Sequence, residues 1–132
     1  MIIKSGIDII DIRRIKKLID TYGIKFKSRC FHKSEILKSE SRNKSIESYA
    51  KRYAAKEACA KALGTGLARG IYWKDIEIQN DAKGKPKIFL HNNALDYLKK
   101  IGNKSNFNLE VSLSDEKNYA IANVIIYSHE NE

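Results

Sequence analysis

Asp8 stands inside the apolar stretch Ile7-Asp8-Ile9-Ile10, where a carboxylate is costly to desolvate unless it meets a cation or several hydrogen-bond donors. Glu57 raises the same question from a helical pattern, three residues after Ala54 and four after Tyr53, on the stripe that should face the core. A carboxylate on a strand and another on a buried helix face are hard oxygen ligands suited to Mg²⁺, which takes one or two carboxylates, waters and substrate phosphates. Lys61, one turn beyond Glu57, would reach the same phosphates, and Gly64-Thr65-Gly66 supplies glycine backbone against which a nucleotide could lie. Each feature also has an ordinary account: the wet face of an antiparallel strand for Asp8, an i,i+4 pair with Lys61 for Glu57, a helix cap for the glycines.

The elements that must bring these residues together are legible from periodicity. Residues 2–10 alternate as a strand, in which Gly6 marks a bulge or a close backbone approach. From Asp11 the period changes: Ile12, Ile15, Leu18 and Ile19 form one helical stripe, Arg13, Arg14, Lys16 and Lys17 a basic outer face, and Gly23 the stop. A lysine-rich stretch with Phe26 and Phe31 leads into a short helix around Glu35, Ile36 and Leu37, and residues 40–45 read as a loop. Ser45 to Leu63 is the longest helical pattern, alanine-rich and free of Gly and Pro, so a neighbour can pack closely on it. Ile76 and Ile78, a turn over residues 80–86, then Ile88 and Leu90 predict a hairpin; Ala94 to Ile101 a short helix ending at Gly102; residues 109–114 and 119–127 two antiparallel strands. The expected fold class is α+β, an antiparallel sheet with a long central helix packed on it.

The 132 residues suit a single domain over residues 1–127, with a polar tail at 128–132, and 42% hydrophobic content excludes collagenous and disordered classes. The net charge of +9 predicts an anionic partner: nucleic acid, an acidic protein or a phosphorylated metabolite. Lys4, Asp8 and Asp11 interrupt the apolar N-terminus, so no signal peptide is expected, and no later run has the length of a membrane span. Cys30 and Cys59 lack metal-like spacing and read as reduced, buried thiols, which makes a cytoplasmic location the expectation.

The stretches GIDIIDIRRI, RYAAKEACAKALGTGL, DIEIQNDAKGKP and VSLSDEKNYAIANVII, taken in order, resemble the holo-[acyl-carrier-protein] synthase family, the small single-domain 4'-phosphopantetheinyl transferases. The resemblance spans nearly the whole chain. It implies a phosphopantetheinyl transferase-like fold and Mg²⁺-dependent transfer of the 4'-phosphopantetheine arm of coenzyme A (CoA) to a serine of apo acyl carrier protein, releasing adenosine 3',5'-bisphosphate. Asp8 and Glu57 match the family's Mg²⁺ ligands and, with Lys61, which matches a phosphate-contacting lysine, its catalytic group. Arg52, Lys61, Gly64, Gly66 and Pro86 match positions lining the CoA site. Arg14 matches a basic residue that meets the acidic carrier protein, with Arg13, Lys17 and Lys25 as helpers. The resemblance further implies a homotrimer with CoA sites at subunit boundaries, and no need for nucleic acid or membrane.

Two positions depart from the family pattern. Many members carry a histidine where this chain has Asp115, which cannot itself contact a phosphate and is left to orient a lysine, approach the metal or face solvent. The usual Phe-Thr-x-x-Glu is here Phe31-His32-Lys33-Ser34-Glu35, in which imidazole replaces the threonine of a capping box and reads as a structural change. His91 and His129 belong to no motif. A competing account from another class is a small basic RNA-binding or ribosome-associated module that stacks bases on Tyr49, Tyr53 and Trp73; it leaves Asp8 and Glu57 unexplained.

Overall fold

A computed structural model describes residues 2–102 and 106–128. His129, and the tail beyond it, lie outside the described residues. The order of elements is β1 (Ile2–Asp11), α1 (Ile12–Tyr22), α2 (Ile24–Cys30), α3 (Lys33–Glu40), α4 (Ser45–Leu63), β2 (Ile76–Asn80), β3 (Pro86–Leu90), α5 (Asn92–Gly102), β4 (Phe107–Glu116) and β5 (Tyr119–Ser128), with a 3-10 turn at Trp73–Asp75 before β2.

Strands β1, β5 and β4 form an antiparallel sheet in that order, and β2–β3 form a separate two-stranded hairpin. The alternation in β1 sets its faces opposite to what its isoleucines suggest. Gly6, Asp8 and Ile10 turn toward α4, while Ile3, Ile7 and Ile9 lie on the outer face at 57–64% exposure. On β5 the buried side carries Ala120, Ala122, Val124 and Ile126, and the outer side carries Tyr119, Ile121 and Ile125. The pairing Ile9↔Ile121 sets isoleucines side by side on that outer face, with Ser5, Asp11 and Asn123 interspersed. Ser128, assigned to the tail on composition, closes β5 opposite Ile2 and is buried.

Helix α4 is buried on most of its circumference, with β1 and β5 on one side and α1, α3 and the β2 strand around it. Small side chains make this possible: Ala50, Ala54, Ala55, Ala58, Ala60 and Ala62 are all buried. Gly6 is where the approach is closest. A Cβ there would sit 2.0 Å from the Ala58 carbonyl oxygen and 2.7 Å from the Ala62 nitrogen, while the β1–β5 ladder runs through this position without a bulge. Of the two roles expected for this glycine, the structure shows the close approach.

A buried ion pair ties α4 to α3. Lys56 Nζ donates to Glu35 Oε1 at 2.8 Å, to the Trp73 carbonyl at 3.1 Å and to the Ile76 carbonyl, and both side chains are fully buried. Burial pushes the Lys56 ammonium pKa down, and the Glu35 carboxylate opposes that shift. Glu35 in turn accepts the backbone N–H groups of His32 (2.9 Å) and Ile78 (3.3 Å), so one carboxylate joins three segments. Glu35 thus closes its own half of the capping box, while the His32 imidazole makes no cap hydrogen bond.

Helix α2, expected only as a connecting stretch, is a separate seven-residue helix that buries Phe26 and Cys30 after Gly23 breaks the chain direction at φ +53°. Both cysteines are free and buried, and burial pushes the thiols up to about 11 for Cys30 and about 12 for Cys59. Among the described residues no helix is long and apolar enough to cross a membrane.

Candidate active site

The close packing at Gly6 brings the first cluster together. Two residues along β1, Asp8 faces α4, and Lys61 Nζ donates to its Oδ1 at 3.0 Å and to the Ile7 carbonyl at 3.1 Å. Lys61 thus spends its hydrogen bonds on β1 rather than on an intrahelical pair with Glu57. Glu57, one turn earlier on α4, is half-buried; burial first and the charge of Asp8 second hold its pKa above the ordinary carboxylate value, with Lys61 and Arg14 acting against them. Across this helix–strand seam the Asp8 charge raises the proton affinity of Glu57, and the two carboxylates, with Lys61 on one of them, are hard oxygen donors of the kind that Mg²⁺ takes. The ligand types expected for the metal therefore fit.

Arg14 is exposed on α1, and its charge reaches both Glu57 and Tyr53, so this basic side chain borders the carboxylate cluster. Lys17 and Lys25 are exposed. Arg13 is bound to its own helix cap: its guanidinium donates to Asp11 at 2.6–3.2 Å, while the Asp11 carboxylate accepts the Arg13 N–H at 2.9 Å.

A second group lies elsewhere on α4. Arg52 and Pro86 line a cavity of about 770 Å³ between the first half of α4, the hairpin and β4, into which Arg42, Lys44, Lys51 and Lys85 also face. None of Asp8, Glu57, Lys61, Gly64 and Gly66 lines it. Helical rotation explains the split, since Lys61 follows Arg52 by nine residues and so points from the opposite side of the helix. Arg52 is buried and largely committed to the hairpin, donating to the Ile78 carbonyl at 2.5 Å and to Asn80 Oδ1 at 2.6 Å. Gly64 caps α4 in the left-handed conformation at φ +87°, its N–H donating to the Ala60 and Lys61 carbonyls.

Asp115 is on the cavity wall, paired with Lys51 at 3.0 Å. Of its three possible roles, this geometry is that of orienting a lysine. Lys51, Lys85, Arg42 and Lys44 were not singled out from the sequence; the signal available was their density around Arg52 and the turn of the hairpin. Tyr49 and Tyr53, proposed above as base-stacking platforms, are core residues, with Tyr53 packed against Trp73 at 4.2 Å between ring centroids.

A family model described as the 4'-phosphopantetheinyl transferase superfamily matches residues 4–124. The chain is 48% identical over 129 residues to a holo-[acyl-carrier-protein] synthase from Agrobacterium fabrum, covering 96% of this chain and 95% of that one. Its fold is similar to the crystal structure of a Helicobacter pylori holo-[acyl-carrier-protein] synthase in complex with coenzyme A, at a TM-score of 0.81 and 33% identity over 93% of this chain and 99% of the other. A similar match is the Neisseria meningitidis synthase, with a TM-score of 0.81 and 34% identity over 94% and 97% of the two chains.

Proposed function

This chain belongs to the 4'-phosphopantetheinyl transferase superfamily, and we propose on that footing that it moves the 4'-phosphopantetheine arm of CoA to a serine hydroxyl of apo acyl carrier protein. The serine Oγ forms a bond to the phosphorus bearing the arm, the bond from that phosphorus to the bridging oxygen breaks, and adenosine 3',5'-bisphosphate leaves. The observation that carries this reading is the meeting of Asp8, Glu57 and Lys61 on one seam of a molecule that also has a cavity of about 770 Å³ bordered by cations.

Asp8 and Glu57 are the residues that would hold Mg²⁺, and when bound the ion neutralises charge on the pyrophosphate. Lys61, already directed at Asp8, contributes a further positive charge where the leaving phosphate becomes more negative. Glu57 would orient a water through which the serine proton leaves to solvent. Arg42, Lys44, Lys51 and Lys85 attract the phosphates of CoA, Arg52 holds the hairpin wall, and Pro86 shapes the cavity rim. Gly64 and Gly66 leave backbone uncovered beside the end of α4, since a Cβ at either position meets nothing within 4 Å.

The cavity and the carboxylate cluster face different ways on one chain, and the outer sheet face exposes Ile3, Ile7, Ile9, Tyr119, Ile121 and Ile125. Both features support a homotrimer in which the cavity of one subunit meets the carboxylates of the next. Arg14 then presents positive charge beside the cluster to an acidic carrier protein, the exposed Lys17 and Lys25 add to it from α1 and α2, and Arg13 is held at the cap. The free buried thiols suit a reducing compartment such as the cytoplasm.

The test is a mass spectrum of apo carrier protein incubated with CoA, Mg²⁺ and this chain. A gain of one phosphopantetheine arm is expected, and its absence with an otherwise folded enzyme overturns the assignment. Mixing inactive Asp8→Asn and Arg52→Ala chains should restore part of the activity if sites are shared between subunits; no restoration would make each chain self-sufficient.

A further inference from the structure

A second cluster of metal-ligating side chains lies away from the carboxylate seam, and nothing in the transferase reading uses it. His32 precedes α3, Glu77 is on β2 and His91 follows β3. One ligand atom from each lies within 4.8 Å of the others. Three elements therefore converge on one point.

The strands explain why. Glu77 pairs with Phe89, and the ladder is prolonged by the His91 N–H donating to the Asp75 carbonyl at 2.8 Å, so Glu77 and His91 are diagonal neighbours on one face of the ribbon. His32 is brought over them by the buried Glu35, which accepts the N–H groups of both His32 and Ile78.

The surroundings are those of a ligand set. Ser34 Oγ and Gln79 Nε2 both donate to Glu77 Oε2, at 2.7 and 2.8 Å, which leaves Oε1 turned toward His91 Nε2 at 2.8 Å. His32 Nε2 donates to the Lys74 carbonyl at 2.5 Å, the kind of outer contact that fixes the orientation of a ligating imidazole. The Glu77 side chain is 9% exposed and that of His91 40%, so the carboxylate is fixed in place and the mouth is open to solvent. A Glu77–His91 ion pair would account for one imidazole. It makes no use of the second ring, which lies 5.1 Å from the first and brings a further nitrogen within 4.8 Å of the other two ligand atoms.

We infer that His32, Glu77 and His91 bind one divalent transition-metal ion of the zinc class, with water completing the coordination, and that the ion staples the β2–β3 hairpin to the start of α3. Imidazole and carboxylate together suit Zn²⁺, Co²⁺ or Ni²⁺ and do not favour Mg²⁺. Ligand atoms of tetrahedral zinc lie about 3.3 Å apart for bonds of about 2.0 Å. Closing from 4.8 Å is a side-chain adjustment at a half-exposed edge. The inference is independent of the transferase reading.

The experiment is a titration of the full chain with Co²⁺, followed by its visible absorption, and then with Zn²⁺, followed by melting temperature, both in excess Mg²⁺. One equivalent of Co²⁺ should give a d–d band that Zn²⁺ abolishes, and one equivalent of Zn²⁺ should raise the melting temperature. His91→Ala and the near-isosteric Glu77→Gln should lose both responses, while Asp8→Asn keeps them. Absence of a stoichiometric band in the parent chain, or its survival in His91→Ala, overturns the site. Loss of the band in Asp8→Asn alone would assign the ion to the carboxylate seam instead.

Discussion

At Asp8 and Glu57, charge can be removed while shape is kept. Asp8→Asn and Glu57→Gln are each expected to lower transfer by two orders of magnitude or more, about 2.7 kcal/mol in the barrier, with an unchanged circular dichroism spectrum. Full activity in either variant would remove the carboxylates from the site. Asp115 is expected to behave differently. Its partner Lys51 is 3.0 Å away and both side chains are about 30% exposed, so the pair contributes little energy and serves to aim the lysine. Asp115→Ala should keep transfer within about tenfold of the parent, roughly 1.4 kcal/mol, where a general base contributes about 10²–10⁴-fold. A loss in the larger range with CoA binding unchanged would make Asp115 the base. That Asp8 meets a cation was legible because an acid in an apolar pattern asks for a partner. The Lys51–Asp115 pair was not, because α4 and β4 are distant in sequence and no local pattern records which of their edges meet.

Among the elements, β1 and α4 set the position of everything on the seam, and Gly6 sets their separation. Gly6→Ala would force a methyl group to 2.0 Å from the Ala58 carbonyl oxygen, a backbone atom that cannot turn aside. The helix and strand must part, at a cost of about 1–3 kcal/mol or more. The expected outcome is a lower unfolding midpoint in urea together with reduced transfer, because Lys61 loses its reach to Asp8; a variant as stable and active as the parent would show the seam to be loose. The long helix and both strand pairs were legible from period alone. The facing of β1 was not: Ile3, Ile7 and Ile9 lie on the outer face, because the side toward α4 carries Gly6 at the point of closest approach, then Asp8, and Ile10 as its one buried isoleucine among the described residues. Helix α2 was missed for a related reason, since seven residues with two buried apolar side chains give no period to detect.

For the whole molecule the net charge of +9 has a direction, because Arg14, Lys17 and Lys25 are exposed along α1 and α2, and Arg14 borders the seam. Charge-steered association weakens with salt. Arg14→Ala is expected to raise the KM for carrier protein several-fold, to flatten its dependence on ionic strength and to leave the KM for CoA nearly unchanged. An equal effect on CoA would move Arg14 into the nucleotide site. The order of strands in the sheet bears on how the molecule is made. Strand β5 comes last among the described elements, yet it is the middle of the sheet, with β1 and β4 each paired to it. On a ribosome, β1 emerges first and has no neighbour to pair with until β5 follows, an interval on the order of ten seconds at about 5–20 residues per second. During that interval the backbone edge of β1 stays unpaired in a nascent chain that already has its helices and hairpin, so the strand spends translation with its hydrogen-bonding groups open to other chains.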